Sequence, residues 1–147
     1  MPQHAAILFV NKKHKDHHAI CSKLQTMYQV SERSVQSQSH GQCSEASVIS
    51  EEIKQYNVLI IYLSDETLNN VCISEFMDCA LRLGIRIVGI WLDSTQALSL
   101  PLVFDSGLYS LSPYSDELIA MCSGEKKLWL DPNGNEVPVR TIKKYTC

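Results

Sequence analysis

The chain has 147 residues, 45% hydrophobic and 20% charged, with a formal net charge of −3. That length makes a single domain, able to bury about two-thirds of the surface its unfolded form would expose, and the composition excludes wholesale disorder. The mildly acidic balance gives no electrostatic footprint for nucleic acid or anionic lipid. The longest apolar runs, 5–10, 58–63 and 85–92, fall far short of the roughly 20 residues that cross a bilayer, so neither nucleic acid nor membrane is an expected partner.

MPQH leads straight into an apolar strand, without the basic and apolar regions of an export signal, and a cytoplasmic chain is expected. Six cysteines, at 21, 43, 72, 79, 122 and 147, are scattered with no CxxC or CxxH pair. Free thiols are expected in such a chain, rather than disulfides or a structural zinc site.

In chain order, AAILFV at 5–10 is a continuous apolar run of strand length, the pattern of a parallel strand covered on both faces. Asp16 can cap a helix running to about Met27, with Ile20, Leu24 and Met27 on one stripe. Residues 31–47, SERSVQSQSHGQCSEAS, are almost free of apolar side chains and read as an exposed, mobile loop of a length that often carries function. A short helix over 47–56, with Val48, Ile49 and Ile53 on one face, leads into VLIIYL at 58–63.

Polar residues 65–70 precede a helix from about Val71 to Leu83, which Gly84 ends as a left-handed cap. IRIVGIW at 85–91 is a third buried strand. Repeated strand–helix–strand order predicts a three-layer, flavodoxin-like α/β fold with a mainly parallel central sheet. Beyond it, 94–107 reads as loop, Leu108 to Leu111 as a short strand, and Ser112-Pro113 as the start of a helix ending near Cys122. Asn133-Gly134 between apolar stretches predicts a C-terminal β-hairpin, with Pro138 keeping its last strand at an edge. Trp91 and Trp129 read as core or hairpin anchors.

In open parallel sheets ligands bind beyond the carboxyl ends of the strands. That rule selects Asn11 to Lys13, Ser64 to Thr67 and Asp93 to Thr95, with Lys12 and Lys13 offering positive charge beside a helix start. Neither GxGxxG nor GxxxxGK[ST] is present. Glu75 falls in the early turns of the helix leaving this rim, where a fixed carboxylate could stabilise an oxocarbenium-like transition state at a sugar C1′. On the same spacing, Glu75, Asp78 and Arg82 could instead form a solvated, ion-paired helix face. His14/His18 and His17/Cys21 stand four apart on the first helix, but the two pairs point in different directions, and no metal site is expected.

The stretch ISEEIKQYNVLIIYLSDETLNNVCISEFMDCALRLGIRIVGIW resembles the central part of TIR domains. Members show a strand ending in Leu-Ser, a short polar turn, and a helix carrying Cys-x-x-Glu before the next strand. Here Leu63-Ser64 ends the strand, Cys72 precedes Glu75 by three positions, and Ser64 and Glu75 stand eleven apart. ILFVNKKHKD, with Asp16, resembles the TIR opening, and the 31–47 loop takes the place of the family's long loop bordering its nucleotide pocket. Asn70 and Val71 occupy positions where members often have Ser or Thr followed by Trp. The resemblance covers roughly residues 5–92.

It implies cleavage of NAD, as substrate rather than cofactor, into nicotinamide and ADP-ribose or a cyclised form. Glu75 would be catalytic, and Phe9, Asn11, Lys12 and Ser64 candidates for the pocket lining. It further implies self-association into a homo-oligomer and a place in bacterial antiphage defence of the Thoeris type, with a downstream effector reached through a small-molecule messenger. Two other readings stay open at this point. One is a non-catalytic TIR-like module acting by assembly or nucleotide-signal binding; the other is an enzyme similar to nucleoside deoxyribosyltransferases, through the CALRLG segment after Glu75.

Overall fold

A strand shielded on both faces presents an unbroken apolar run, and β1 (Gln3–Phe9), β3 (Val58–Leu63) and β4 (Arg86–Trp91) have that character. The computed structural model describes residues 3–92, 106–108, 116–123, 129–130 and 136–137. In it these strands and β2 (Tyr28–Ser34) form an all-parallel sheet in the order β2-β1-β3-β4. Two short parallel segments, β5 (Ser106–Leu108) and β6 (Trp129–Leu130), continue it. β6 pairs antiparallel with β7 (Glu136–Val137), Trp129 opposite Val137. The expected Asn133-Gly134 turn and Pro138 lie outside the described residues, as do the side chains of Trp91 and Trp129.

Period-two alternation along each strand divides the buried side chains between two cores. Ala6, Leu8, Leu59, Ile61, Leu63 and Ile87 pack with Ile49, Ile53, Phe76 and Ala80. These partners come from α2 (Ala46–Glu52), its 3-10 continuation Ile53–Gln55, and α4 (Val71–Leu83). Ala5, Ile7, Phe9, Ile60, Tyr62, Val88 and Ile90 pack on the other face with Ile20, Leu24 and Leu118, carried by α1 (His17–Leu24) and α5 (Asp116–Ser123). The result is the expected α/β architecture of three layers.

α4 illustrates why the sequence folds as it does. Cys72, Ile73, Phe76, Met77, Cys79 and Ala80 form one buried stripe at helical spacing. Asn70 begins the helix, its Oδ1 accepting from the amides of Cys72 (2.8 Å) and Ile73 (2.9 Å). Gly84 ends it at φ 72°. The Gly84 amide donates to the Leu81 carbonyl and that of Ile85 to the Ala80 carbonyl, which satisfies two otherwise orphaned acceptors.

Several local expectations are corrected. Residues 31–34 belong to β2 rather than to a loop: β2 is an edge strand with an alternating, partly exposed pattern, so its polar composition is that of a strand paired on one side only. α1 stops at Leu24, leaving Met27 61% exposed instead of on the stripe of Ile20 and Leu24, and the Asp16 side chain makes no capping hydrogen bond. Val48 is exposed while Ile49 and Ile53 are buried, because α2 buries a narrower face than three adjacent apolar residues suggest. Residues 65–68 form a short helix, α3 (Asp65–Leu68). β5 begins at Ser106, two residues ahead of the expected strand, and α5 begins at Asp116.

This packing makes a contrast measurable by urea unfolding. Ile60 is fully buried in β3, so Ile60→Ala should cost about 2–5 kcal/mol. Val48→Ser, on an exposed position of α2, should stay within about 0.5 kcal/mol of the parent.

Candidate functional site

β1 and β3 lie side by side although the chain visits β2 between them. Loops leaving two such neighbours diverge to opposite faces and open a crevice at their carboxyl ends. Asn11 follows β1 with φ 64°, the left-handed region that Asn tolerates better than most residues. Its Nδ2 donates to Glu66 Oε2 at 2.7 Å, joining the loop after β1 to α3 after β3. Ser64 Oγ accepts from the Thr67 amide at 3.1 Å and bonds Thr67 Oγ1 at 3.1 Å, so its first role is to cap α3. The Lys12 side chain is exposed and has no hydrogen bond or ion pair among the described residues.

Glu75 stands in the second turn of α4, half-buried on the flank of the apolar stripe. Its Oε2 accepts from Cys79 Sγ at 3.5 Å, and Arg82 Nη2 donates to the same sulfur at 3.3 Å. The thiol is thereby flanked by carboxylate and guanidinium. Burial, then the Glu75 carboxylate, pushes the Cys79 thiol above its ordinary range, so it is a poor nucleophile.

The segment between β2 and α2 is tied down next to this helix. Asn70 Nδ2 donates to the Gln36 carbonyl at 2.7 Å, and the Val71 amide to that of Gln38 at 2.8 Å. Cys43 and Cys72 then lie with Cα atoms 4.8 Å apart and form a disulfide. This corrects the expectation of free thiols at these two positions: their separation of 29 residues carries no pairing signal, and only the return of the chain across the start of α4 brings them together. Arg33 completes the anchorage. It reaches Glu52 with Nε (2.9 Å) and Glu45 with Nη2 (2.8 Å), and lies 5.5 Å from the centre of the Phe76 ring. Glu52 also accepts from Tyr56 Oη at 2.6 Å.

A second polar group occupies the other face of the sheet. Tyr62 Oη lies 2.7 Å from His17 Nδ1; His17 Nε2 lies 3.0 Å from Glu32 Oε1 and 3.4 Å from Cys21 Sγ. Lys13 Nζ contacts the same Glu32 oxygen at 2.8 Å and sits 5.2 Å from the centre of the Phe9 ring. Burial holds the Tyr62 hydroxyl well above its ordinary range, so it remains a protonated partner. Of the two i, i+4 pairs expected on the first helix, only His17/Cys21 lies on α1 and joins this group. His14 Nδ1 instead accepts from the Asp16 amide at 2.9 Å, and His18 is exposed.

The structure therefore joins Asn11 to the loop that Ser64 begins, but it sets Phe9 and Glu75 on opposite faces of the sheet, Phe9 in the α1 core and Glu75 on α4. Asp93 to Thr95 lie outside the described residues. Glu32 and Tyr62 went unrecognised in the sequence because each sits in a strand that supplied no side-chain signal; the His17/Cys21 spacing was the one visible trace. A shallow cavity of about 350 Å³, lined by Lys54, Tyr56, Asn57, Leu83, Gly84 and Ile85, lies at the opposite, amino end of β3 and β4 and brings no acid–base pair together. No helix among the described residues is long and apolar enough to cross a membrane. Compared with protein-family models and with curated proteins, the sequence matches none.

Two measurements probe this region. Closing a loop of 29 residues restricts the unfolded chain by roughly 3.6 kcal/mol, so reduction of Cys43–Cys72, or Cys43→Ser, should lower the unfolding free energy by about that amount. His14 is 7% exposed, and burial holds it below its ordinary value of 6.5. The unfolded chain consequently takes up the proton first. Its stabilising contribution is complete above pH 6.5 and is lost as the pH falls through the lower folded value. His14→Gln should flatten the stability profile in that window, measured by urea unfolding at a series of pH values; an unchanged slope would remove His14 as its source.

Proposed function

We propose that the chain is a TIR-like enzyme that cleaves the nicotinamide glycosidic bond of NAD, with Glu75 as the catalytic carboxylate. The observation that carries this reading is the strand order β2-β1-β3-β4. In open α/β sheets of this order ligands bind beyond the carboxyl ends of the two strands where the connections diverge, here β1 and β3, and α4, with Glu75 half-buried in its second turn, departs from that same end.

The chemistry asks little of the protein. Bound nicotinamide carries a positive charge that it loses on departure, so no general acid is needed at the leaving group. Positive charge develops at C1′ and the ring oxygen, where a fixed carboxylate stabilises it more than it stabilises the ground state. Water then gives ADP-ribose, or an internal nucleophile of the same molecule gives a cyclic product. Lys12 and Asn11 would serve the phosphates and ribose, and Ser64 the neighbouring turn. In this reading the chain works in the cytoplasm as a homo-oligomer and makes a nucleotide messenger for bacterial antiphage defence.

A second reading, a non-catalytic module that assembles or binds a nucleotide signal, draws on one observation. Glu75 is already engaged by the Cys79 thiol, with Arg82 on the far side of that sulfur, as a purely structural residue would be.

The two readings separate in one experiment. Protein concentrated enough to self-associate is incubated with NAD while free nicotinamide is followed chromatographically. Turnover that falls by about 10²-fold or more in Glu75→Gln, at unchanged melting temperature, is the expected result, in line with the loss of one preorganised electrostatic partner. Absence of nicotinamide from the parent protein would leave only the binding module, and equal turnover in Glu75→Gln would remove Glu75 as the catalytic carboxylate.

A further inference from the structure

The group on the α1 face is independent of Glu75 and has a donor set that neither packing nor the proposed reaction uses. We infer that His17, Cys21 and Glu32 form a binding site for one divalent transition-metal ion of the zinc class.

The three residues come from two elements. His17 and Cys21 are one helical turn apart on α1, and Glu32 projects from β2 beside them. Imidazole nitrogen, sulfur and a carboxylate oxygen lie within 4.8 Å of one another. Bonds of about 2.0 Å to nitrogen and oxygen and about 2.3 Å to sulfur, spread tetrahedrally, hold donor atoms roughly 3.3 Å (N to O) and roughly 3.5 Å (S to N) apart. The observed separations are 3.0 Å for His17 Nε2 to Glu32 Oε1 and 3.4 Å for His17 Nε2 to Cys21 Sγ. These are close to two edges of a coordination tetrahedron, and the third pair, Cys21 Sγ and a Glu32 oxygen, lies within 4.8 Å and closes to roughly 3.5 Å on ligation.

The surroundings fit the same role. A ligating imidazole keeps its orientation by bonding through its other nitrogen, and His17 Nδ1 has Tyr62 Oη at 2.7 Å, a hydroxyl supplied by a fully buried side chain of β3. Ligation uses the tautomer in which Nδ1–H donates to that oxygen and Nε2 offers its lone pair towards Cys21 and Glu32. Glu32 is 45% exposed and His17 15% exposed in their side chains, which gives an ion a path from solvent. Lys13 Nζ now neutralises the Glu32 oxygen at 2.8 Å. Being long and 45% exposed, it can leave for water as the dication takes its place. On ligation Cys21 gives its proton to solvent and binds as thiolate. Three protein donors leave the fourth position of a tetrahedral ion to water or a substrate oxygen, and the mixed nitrogen, sulfur and carboxylate set selects zinc over magnesium or calcium.

Cobalt(II) is the probe, added to the intact chain without reductant so that Cys43–Cys72 stays closed. One equivalent should produce a thiolate-to-cobalt charge-transfer band in the near ultraviolet, together with the visible bands of a tetrahedral ion, and zinc should displace both. Cys21→Ser should abolish the near-ultraviolet band, while Cys79→Ser and Cys147→Ser keep it. Glu32→Gln, on an exposed position of the edge strand, should weaken cobalt about tenfold or more at unchanged melting temperature, and Tyr62→Phe about tenfold. Should Cys21→Ser fail to fold, Glu32→Gln carries the test alone. No charge-transfer band in the parent, a band that survives Cys21→Ser, or unaltered affinity in Glu32→Gln would each overturn the site.

Discussion

Two-sided burial of a parallel sheet is the constraint from which the rest of this structure follows. β1 and β3 are each flanked by two strands, and both of their faces are closed to water. Parallel strands cannot be joined by tight turns, so each connection must cross a face, and helices are what cover it. The alternation of Ala5, Ile7 and Phe9 against Ala6, Leu8 and Val10 requires one set of helices above and another below. Loops that leave the parallel strands then emerge on the same rim, which is why Asn11 after β1 meets Glu66 after β3 although 55 residues separate them.

The edge of the sheet is held by different means. β2 has strand neighbours on one side only, and beyond Tyr28 its residues are only partly buried or exposed. Arg33 compensates by bridging Glu45 and Glu52 while its planar group lies over Phe76. Burial opposes its charge, yet the hydrogen bonds and charges of the two glutamates outweigh that cost and leave the guanidinium more firmly protonated than usual. The disulfide and the two bonds to Gln36 and Gln38 carry the same anchorage onto the first turn of α4. Glu75 is thus set on a helix whose start is tied at three points to the segment between β2 and α2.

Two of the polar groups lie on opposite faces of the sheet. On the α4 side are Glu75, Cys79 and Arg82; on the α1 side are His17, Cys21, Glu32, Tyr62 and Lys13. Between them the side chains of Ala5 to Phe9 in β1 and Val58 to Ile61 in β3 are apolar and buried.

Sequence alone determined what depends on local pattern. The three long apolar runs, the span of α4 with Gly84 after it, and the repeated strand–helix order were legible because such patterns and the glycine stop are written within a few residues. Those signals sufficed for the α/β class and for placing the rim. Tertiary structure decided whatever depends on residues far apart in the chain: that β2 is a strand despite its polarity, that Cys43 meets Cys72, that Phe9 and Glu75 face opposite ways, and that Glu32 closes on His17 and Cys21. The physical reason is the same in each case. Pairing on a sheet edge, a disulfide and a three-residue donor cluster are set by where the backbone returns in space, and no periodicity along the chain records that return.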